Sequence, residues 1–239
     1  MSSTPEQRCA LCGGPARRPF RAPRPPELSP DMDLRPGEPA RSTLRYWVQG
    51  CGQCGAAAWD LSTLPTAARA AVESAPYRNL SLEAAEDTLL FRRWAMICLA
   101  TGDRAAGAEA TLMAAWAADD GAHVSEAANL RRDVAALWGE PADPPTALRL
   151  LDVLRRAGEF AAVEARGQKL AAAKPDRFAA AVVGFQRDRA GARDIGRHLL
   201  SSAVPDHTLP RDLPLPNFWP VLLSQIARQP GRGGLRRGN

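Results

Sequence analysis

The chain has 239 residues, 45% of them hydrophobic and 24% charged, enough for one large or two small domains with real cores. Its 31 basic and 26 acidic residues leave a net charge of +5, too mild a surplus to name nucleic acid as the partner. No run reaches the roughly 18 apolar residues of a membrane span, and Met1 to Arg8 lacks the apolar core of a secretion signal, so a cytoplasmic protein is expected.

The first element is a pair of cysteine knuckles, Cys9-Ala-Leu-Cys12-Gly13 and Cys51-Gly-Gln-Cys54-Gly55. Two thiolates separated by two residues grip one ion from a tight turn, and a glycine after the second cysteine relieves the positive-φ strain there. Two knuckles supply four sulfurs, which close the tetrahedral shell of a structural Zn2+; the same donors also suit iron in a rubredoxin-like site. Disulfides are disfavoured by the missing secretion signal and the odd fifth cysteine, Cys98. A redox dithiol would need a βαβ setting that neither knuckle has. Thirty-eight residues lie between Cys12 and Cys51, against about 15–20 in compact zinc patterns. A disordered or looped insert tolerates that length, because closure entropy grows only logarithmically.

Within the insert, Pro19, Pro23, Pro25, Pro26, Pro30, Pro36 and Pro39 break every helix. Arg17, Arg18, Arg21 and Arg24 are followed by Glu27, Asp31, Asp33 and Glu38, which cancel them. Leu44 to Gln49 alternates and predicts a strand running into the second knuckle, flanked by Trp47 and Trp59 as a small core over the metal. Residues 1–64 therefore read as a zinc-ribbon module with a proline- and arginine-rich insert.

From Thr66 the apolar spacing becomes helical. Leu82, Leu89, Leu90, Trp94 and Ile97 predict one face of a helix closing at Gly102, with Cys98 a buried small hydrophobe. Asp103 caps a helix bearing Leu112, Met113 and Trp116. The next carries Ala127, Leu130, Val134, Leu137 and Trp138, with Arg131 and Arg132 expected outside. After Asp143-Pro144-Pro145 come helices with Ala147, Leu148, Leu151 and Leu154, then Phe160, Val163, Gly167 and Leu170, then Phe178, Val182 and Phe185 behind Asp176. Asp194 predicts the cap of a shorter last helix through Leu199 and Leu200. Short loops make residues 65–204 an α-hairpin array; Ala147 to Pro175, turning at Gly158, is its clearest tetratricopeptide-like unit. A plain helical bundle is the alternative. Residues 205–239 form a proline-rich segment with a basic tail. In it, Phe218, Trp219, Leu222 and Leu223 are expected to pack back onto the array.

This order of features resembles an uncharacterised bacterial family, a domain of unknown function that joins an N-terminal zinc ribbon to a tetratricopeptide-like helical part. The resemblance rests on both knuckles, the second within Tyr46-Trp-Val-Gln-Gly-Cys51-Gly-Gln-Cys54-Gly-Ala-Ala57. It continues through Ala114-Ala-Trp-Ala-Ala-Asp-Asp120, Asn129-Leu-Arg-Arg132 and Arg155-Arg-Ala-Gly-Glu-Phe160. Ala10 and Gly52 stand where the family commonly has proline, and Ala56 where an aromatic is common, which affects turn stiffness rather than ligands. The resemblance implies zinc and this architecture, and no established activity.

Catalysis is not expected. Four cysteines leave a metal no open position, His123, His198 and His207 are isolated, and no glycine-rich loop joins a strand to a helix. The expected function is protein or peptide binding and scaffolding through the helical array, with Cys9, Cys12, Cys51 and Cys54 as structural zinc ligands. A nucleic-acid-associated zinc ribbon is the alternative, with weak binding expected.

Overall fold

The computed structural model describes residues 7–20 and 29–204, and its architecture is mainly α. A two-stranded antiparallel hairpin, β1 (Gln49–Gly50) and β2 (Ala57–Ala58), pairs Gln49 with Ala58 and Gly50 with Ala57. The helices follow: α1 (Ala68–Glu73), α2 (Ala75–Glu83), α3 (Glu86–Ala100), α4 (Arg104–Asp120), α5 (Val124–Trp138), α6 (Pro144–Arg156), α7 (Phe160–Ala172) and α8 (Arg177–Gly191). No helix among the described residues is long and apolar enough to cross a membrane. The expected packing of Phe218, Trp219, Leu222 and Leu223 falls on residues outside those described.

The caps form as their side chains dictate. Asp103, Asp143 and Asp176 accept from the backbone N–H groups of Ala106, Thr146 and Ala179, satisfying donors that the first turn leaves open. Pro144 enters α6 in its first turn, where a missing N–H costs nothing. Successive helices from α3 to α8 pack on one another across short turns. The main core joins Trp94, Leu112, Trp116, Leu130 and Val134 to Cys9, Leu11, Trp47, Val48 and Trp59, so it runs continuously across residue 64. A second core holds Leu150, Leu151, Leu154, Val163 and Val183.

Four expectations are corrected. Leu44–Gln49 is not a strand: Arg41–Tyr46 is a 3-10 helix, and only Gln49 and Gly50 pair. Leu44, Trp47 and Val48 are buried, a helical spacing that the alternation concealed. Leu82 does not share a face with Trp94, because the chain leaves α2 at Ala84 and Ala85 in extended conformation, and Leu82 is 85% exposed. Arg131 is not outside but 1% exposed, donating to both carboxylate oxygens of Asp119 at 3.1 and 2.6 Å. Asp194 caps no helix. Its carboxylate accepts from Gly196 N–H at 2.6 Å, and the chain runs on to bridge Leu199 with Asp31, leaving one 3-10 turn at Leu200–Ser202.

The insert between the knuckles also departs from a free loop. Residues 31–35, Asp-Met-Asp-Leu-Arg, are buried against α4, α6 and α8, alternate helices of the array. Met32 and Leu34 pack with Val182, Leu200 and Val204 in a third, smaller cluster. Asp33 is wholly buried; it accepts from the Trp116 indole N–H at 2.7 Å and lies 3.5 Å from the Arg156 guanidinium. Burial alone would raise its carboxyl, but Arg156, Arg131 and Trp116 outweigh that and hold it below the ordinary range. Arg149 Nε donates to the Asp33 carbonyl, while Arg35 donates to the Trp116 carbonyl and the Asp120 carboxylate.

Candidate metal centre

The two knuckles are built alike. Gly13 N–H donates to the Cys9 carbonyl at 2.9 Å, and Gly55 N–H to the Cys51 carbonyl at 2.8 Å. Cys9 N–H reaches the Gly14 carbonyl and Cys51 N–H the Ala56 carbonyl, at 2.8 and 2.7 Å. Gly13 and Gly55 sit at φ 72° and 75°, the left-handed region in which a side chain would be strained. Each knuckle therefore turns its two sulfurs to one side.

The outcome is convergence. Cys9 and Cys54 Sγ lie 3.8 Å apart, Cys12 and Cys51 Sγ 3.5 Å, and all four sulfurs lie within 4.8 Å of one another. A tetrahedron with metal–sulfur bonds of ~2.3 Å has edges of ~3.8 Å, so the four sulfurs can hold one metal ion with no position left open. All five cysteines are free thiols, and these separations are far beyond the ~2.05 Å of a disulfide. Cys9 and Cys51 are buried and Cys12 and Cys54 half-buried.

The thiols are electrostatically crowded. Burial, reinforced by the neighbouring sulfurs of Cys51, Cys12 and Cys9, pushes Cys54 up to about 12. Burial also acts upward on Cys51, but backbone N–H groups of Cys54 and Gln53 and the Cys12 and Cys54 thiols bring it down to about 7. Without a cation the cluster favours one thiolate over four, and a divalent ion removes that conflict.

Supporting residues lock the two knuckles together, and sequence spacing gave no sign of them. Gln49 accepts from Arg17 N–H at 2.9 Å beside the first knuckle and donates to the Trp59 carbonyl at 3.0 Å beyond the second. Tyr77 of α2 donates its hydroxyl to the Gly55 carbonyl at 3.0 Å. Arg69 of α1 donates to the Leu11 carbonyl. Beside Cys54 a cleft of about 360 Å³ is bordered by Arg69, Arg78 and Arg93. Glu73 lines the same cleft and pairs with Arg69 at 3.9 Å, so the guanidinium groups there bring part of their own counter-charge.

Trp47 and Trp59 are buried in the same cluster as Cys9 and Cys51, but that cluster is the main core shared with the helices and not a small core of its own. Cys98 is distant in character: it is buried in α3, and burial, with Asp103 adding to it, pushes its thiol up to about 12. Among the histidines, His123 stands at the N-terminus of α5 and His198 pairs with Asp194 at 2.8 Å; His207 lies outside the described residues. The fold and site thus define a mainly α protein with a four-cysteine cluster able to hold a metal. No family model matches the chain, and neither does any curated protein or solved structure.

Proposed function

We propose that the chain is a structural-zinc protein whose helical array binds a protein or peptide partner as a scaffold. The observation that carries the zinc half is the convergence of the Cys9, Cys12, Cys51 and Cys54 sulfurs within 4.8 Å of one another. An all-thiolate set suits zinc, and a closed shell makes the metal a structural clamp rather than a catalyst. The binding half is supported by the array itself. One side of it, formed by α4, α6 and α8, already receives a turn of the same chain at residues 31–35 through the Trp116 and Arg149 side chains and the apolar contact of Val182.

Elemental analysis of the purified full chain is expected to find one zinc per chain, and Cys51→Ser with Cys54→Ser to abolish it. Iron in place of zinc, or metal retained by the double variant, rejects the assignment.

A nucleic-acid role is the second reading, and one observation favours it. On the metal module Phe20 stacks on the exposed ring of Tyr46 at 5.9 Å, and the Arg45 guanidinium lies 4.7 Å from that ring. Aromatic and guanidinium faces of this kind accept unpaired bases. Anisotropy titration with labelled single strands decides: loss of binding in Tyr46→Ala supports this reading, and no salt-resistant binding in the native chain rejects it.

A further inference from the structure

The cleft beside the second knuckle gathers more cations than acids. Arg69 of α1, Arg78 of α2 and Arg93 of α3 all border it, and among the described residues that line it Glu73 is the only acid. The three guanidinium groups are held differently. Arg69 is already engaged: it donates to the Leu11 carbonyl and stands 3.9 Å from Glu73, four positions further along the same helix. Arg78 and Arg93 have no such neighbour. Ser74, Ala75, Ser81 and Leu82 stand at helical spacing from Arg78, and Leu89, Leu90, Met96 and Ile97 from Arg93, so neither residue's own helix offers it an acid.

Arg93 is the least satisfied of the three. It is half-buried, and its Nε is shut from solvent with no hydrogen-bond partner among the described residues. Its guanidinium lies 5.3 Å from the centre of the Tyr77 ring. That ring is fixed in turn, because Tyr77 is buried and donates its hydroxyl to the Gly55 carbonyl at 3.0 Å. A ring face attracts a cation but accepts only weakly from N–H groups. A guanidinium partly out of water, with donors to spare and no carboxylate beside it, is completed by an oxyanion. Donors carried on three helices also need little rearrangement when a ligand arrives.

Charge and size narrow the class of ligand. Three arginines against one glutamate leave two positive charges over, which matches a phosphate monoester better than a single carboxylate. A phosphate presents three terminal oxygens, so guanidinium groups on different helices can each take their own, whereas a carboxylate is filled by one fork. At about 360 Å³ the cleft falls in the size range of small-molecule sites, and Leu11 and Val72 give it an apolar wall for the rest of the ligand. Cys54 also borders it, and a metal-bound cluster would draw on the same cations, so the affinity expected is modest, on the order of 0.1–1 mM.

We propose that this cleft binds a small phosphate monoester, with Arg78 and Arg93 taking the phosphate and Leu11 and Val72 bordering its apolar body. Glu73 restrains the site, because it holds Arg69 back from the same ligand. The site is separate from the scaffold reading and asks nothing of the side formed by α4, α6 and α8.

The test titrates phenyl phosphate into the full chain as purified, at physiological salt, and follows the backbone amide signals of Gly55 and Tyr77 and the Arg93 Nε–H signal by NMR. A saturable shift of all three is expected. Arg78→Gln and Arg93→Gln are each expected to weaken binding at least about tenfold, and Glu73→Gln to tighten it about twofold. Arg177→Gln, which removes the same charge from the exposed start of α8, is expected to change nothing. Benzoate, with the same ring and one carboxylate, is expected to bind at least about threefold more weakly. Arg78 is exposed, so its variant keeps the test valid should Arg93→Gln not fold. No saturable shift at ten times the expected dissociation constant overturns the site. Equal weakening in Arg177→Gln overturns it as general charge attraction, and benzoate binding as tightly as phenyl phosphate overturns the phosphate class.

Discussion

The cysteine cluster and the Asp33 network both gather anionic groups out of water, and they balance them in opposite ways. At the cluster, four sulfurs converge within 4.8 Å of one another, an arrangement whose charge a bound metal ion could balance. At Asp33 each carboxylate is interleaved with guanidinium groups from α5 and α6, so the chain supplies its own counter-charge. A metal held there would make the first region sensitive to chelators, whereas the second is expected to respond to substitution and pH. An anionic site is thus structural in either case, and the source of the cation decides what can undo it.

Asp33→Ala is expected to give the largest local effect on this contrast. It leaves Arg156 short of one partner and the buried Trp116 N–H with none, a loss on the order of 3–5 kcal/mol in the docking of residues 31–35. Native-state hydrogen exchange reads it as free exchange at those residues. An unchanged pattern would make Asp33 a bystander, and the network would then not be self-balancing.

Asp31 sharpens the contrast through pH. Burial, with the charge of Asp33 adding to it, raises its carboxyl from 3.8 to about 6, against the opposing pull of Arg41 and Arg197. Below the lower value both the folded and unfolded chains hold the proton, and the site costs nothing. As pH rises through about 6 the unfolded chain has already released it, so the folded state is penalised by on the order of 2–3 kcal/mol. Relative to Asp31→Asn, the native chain should lose stability between pH 4 and pH 7. Parallel denaturation profiles for the two would show that Asp31 does not titrate in this window.

The smallest of the three effects is that of Trp116→Phe, which keeps most of the ring volume and removes one donor from Asp33. A cost of about 1–3 kcal/mol is expected, again at residues 31–35, because the carboxylate stays buried. Equal loss of protection throughout α4 would place Trp116 among the packing residues alone.

What the sequence made legible was local in origin. The doubled knuckle, the aspartate caps at Asp103, Asp143 and Asp176, and the helices they open all follow from residues within a few positions of each other. What it concealed was settled at long range. Asp33 and Trp116 are 83 positions apart, and nothing in the insert's composition says that its acids will be buried. Arg131 reads as a surface residue until Asp119 is seen to take its charge. The break between α2 and α3 falls at Ala84 and Ala85, with neither glycine nor proline to announce it, so the apolar spacing puts Leu82 on a face it does not share. The alternation from Leu44 to Gln49 fitted a strand and a turn of helix equally, and packing around Trp47 chose the helix.

Cys98 gives the molecule an internal clock. Its side chain is buried in α3 beside a cleft of about 420 Å³, and burial, with Asp103 adding to it, pushes its thiol up to about 12, so it is a poor nucleophile at neutral pH. A metal held by the four knuckle sulfurs would shield them until its release, whereas the fifth thiol is expected to react slowly whether or not metal is bound. One timed labelling of a single sample is therefore expected to separate the two kinds of thiol, the knuckle sulfurs in the fast count and Cys98 in the slow one.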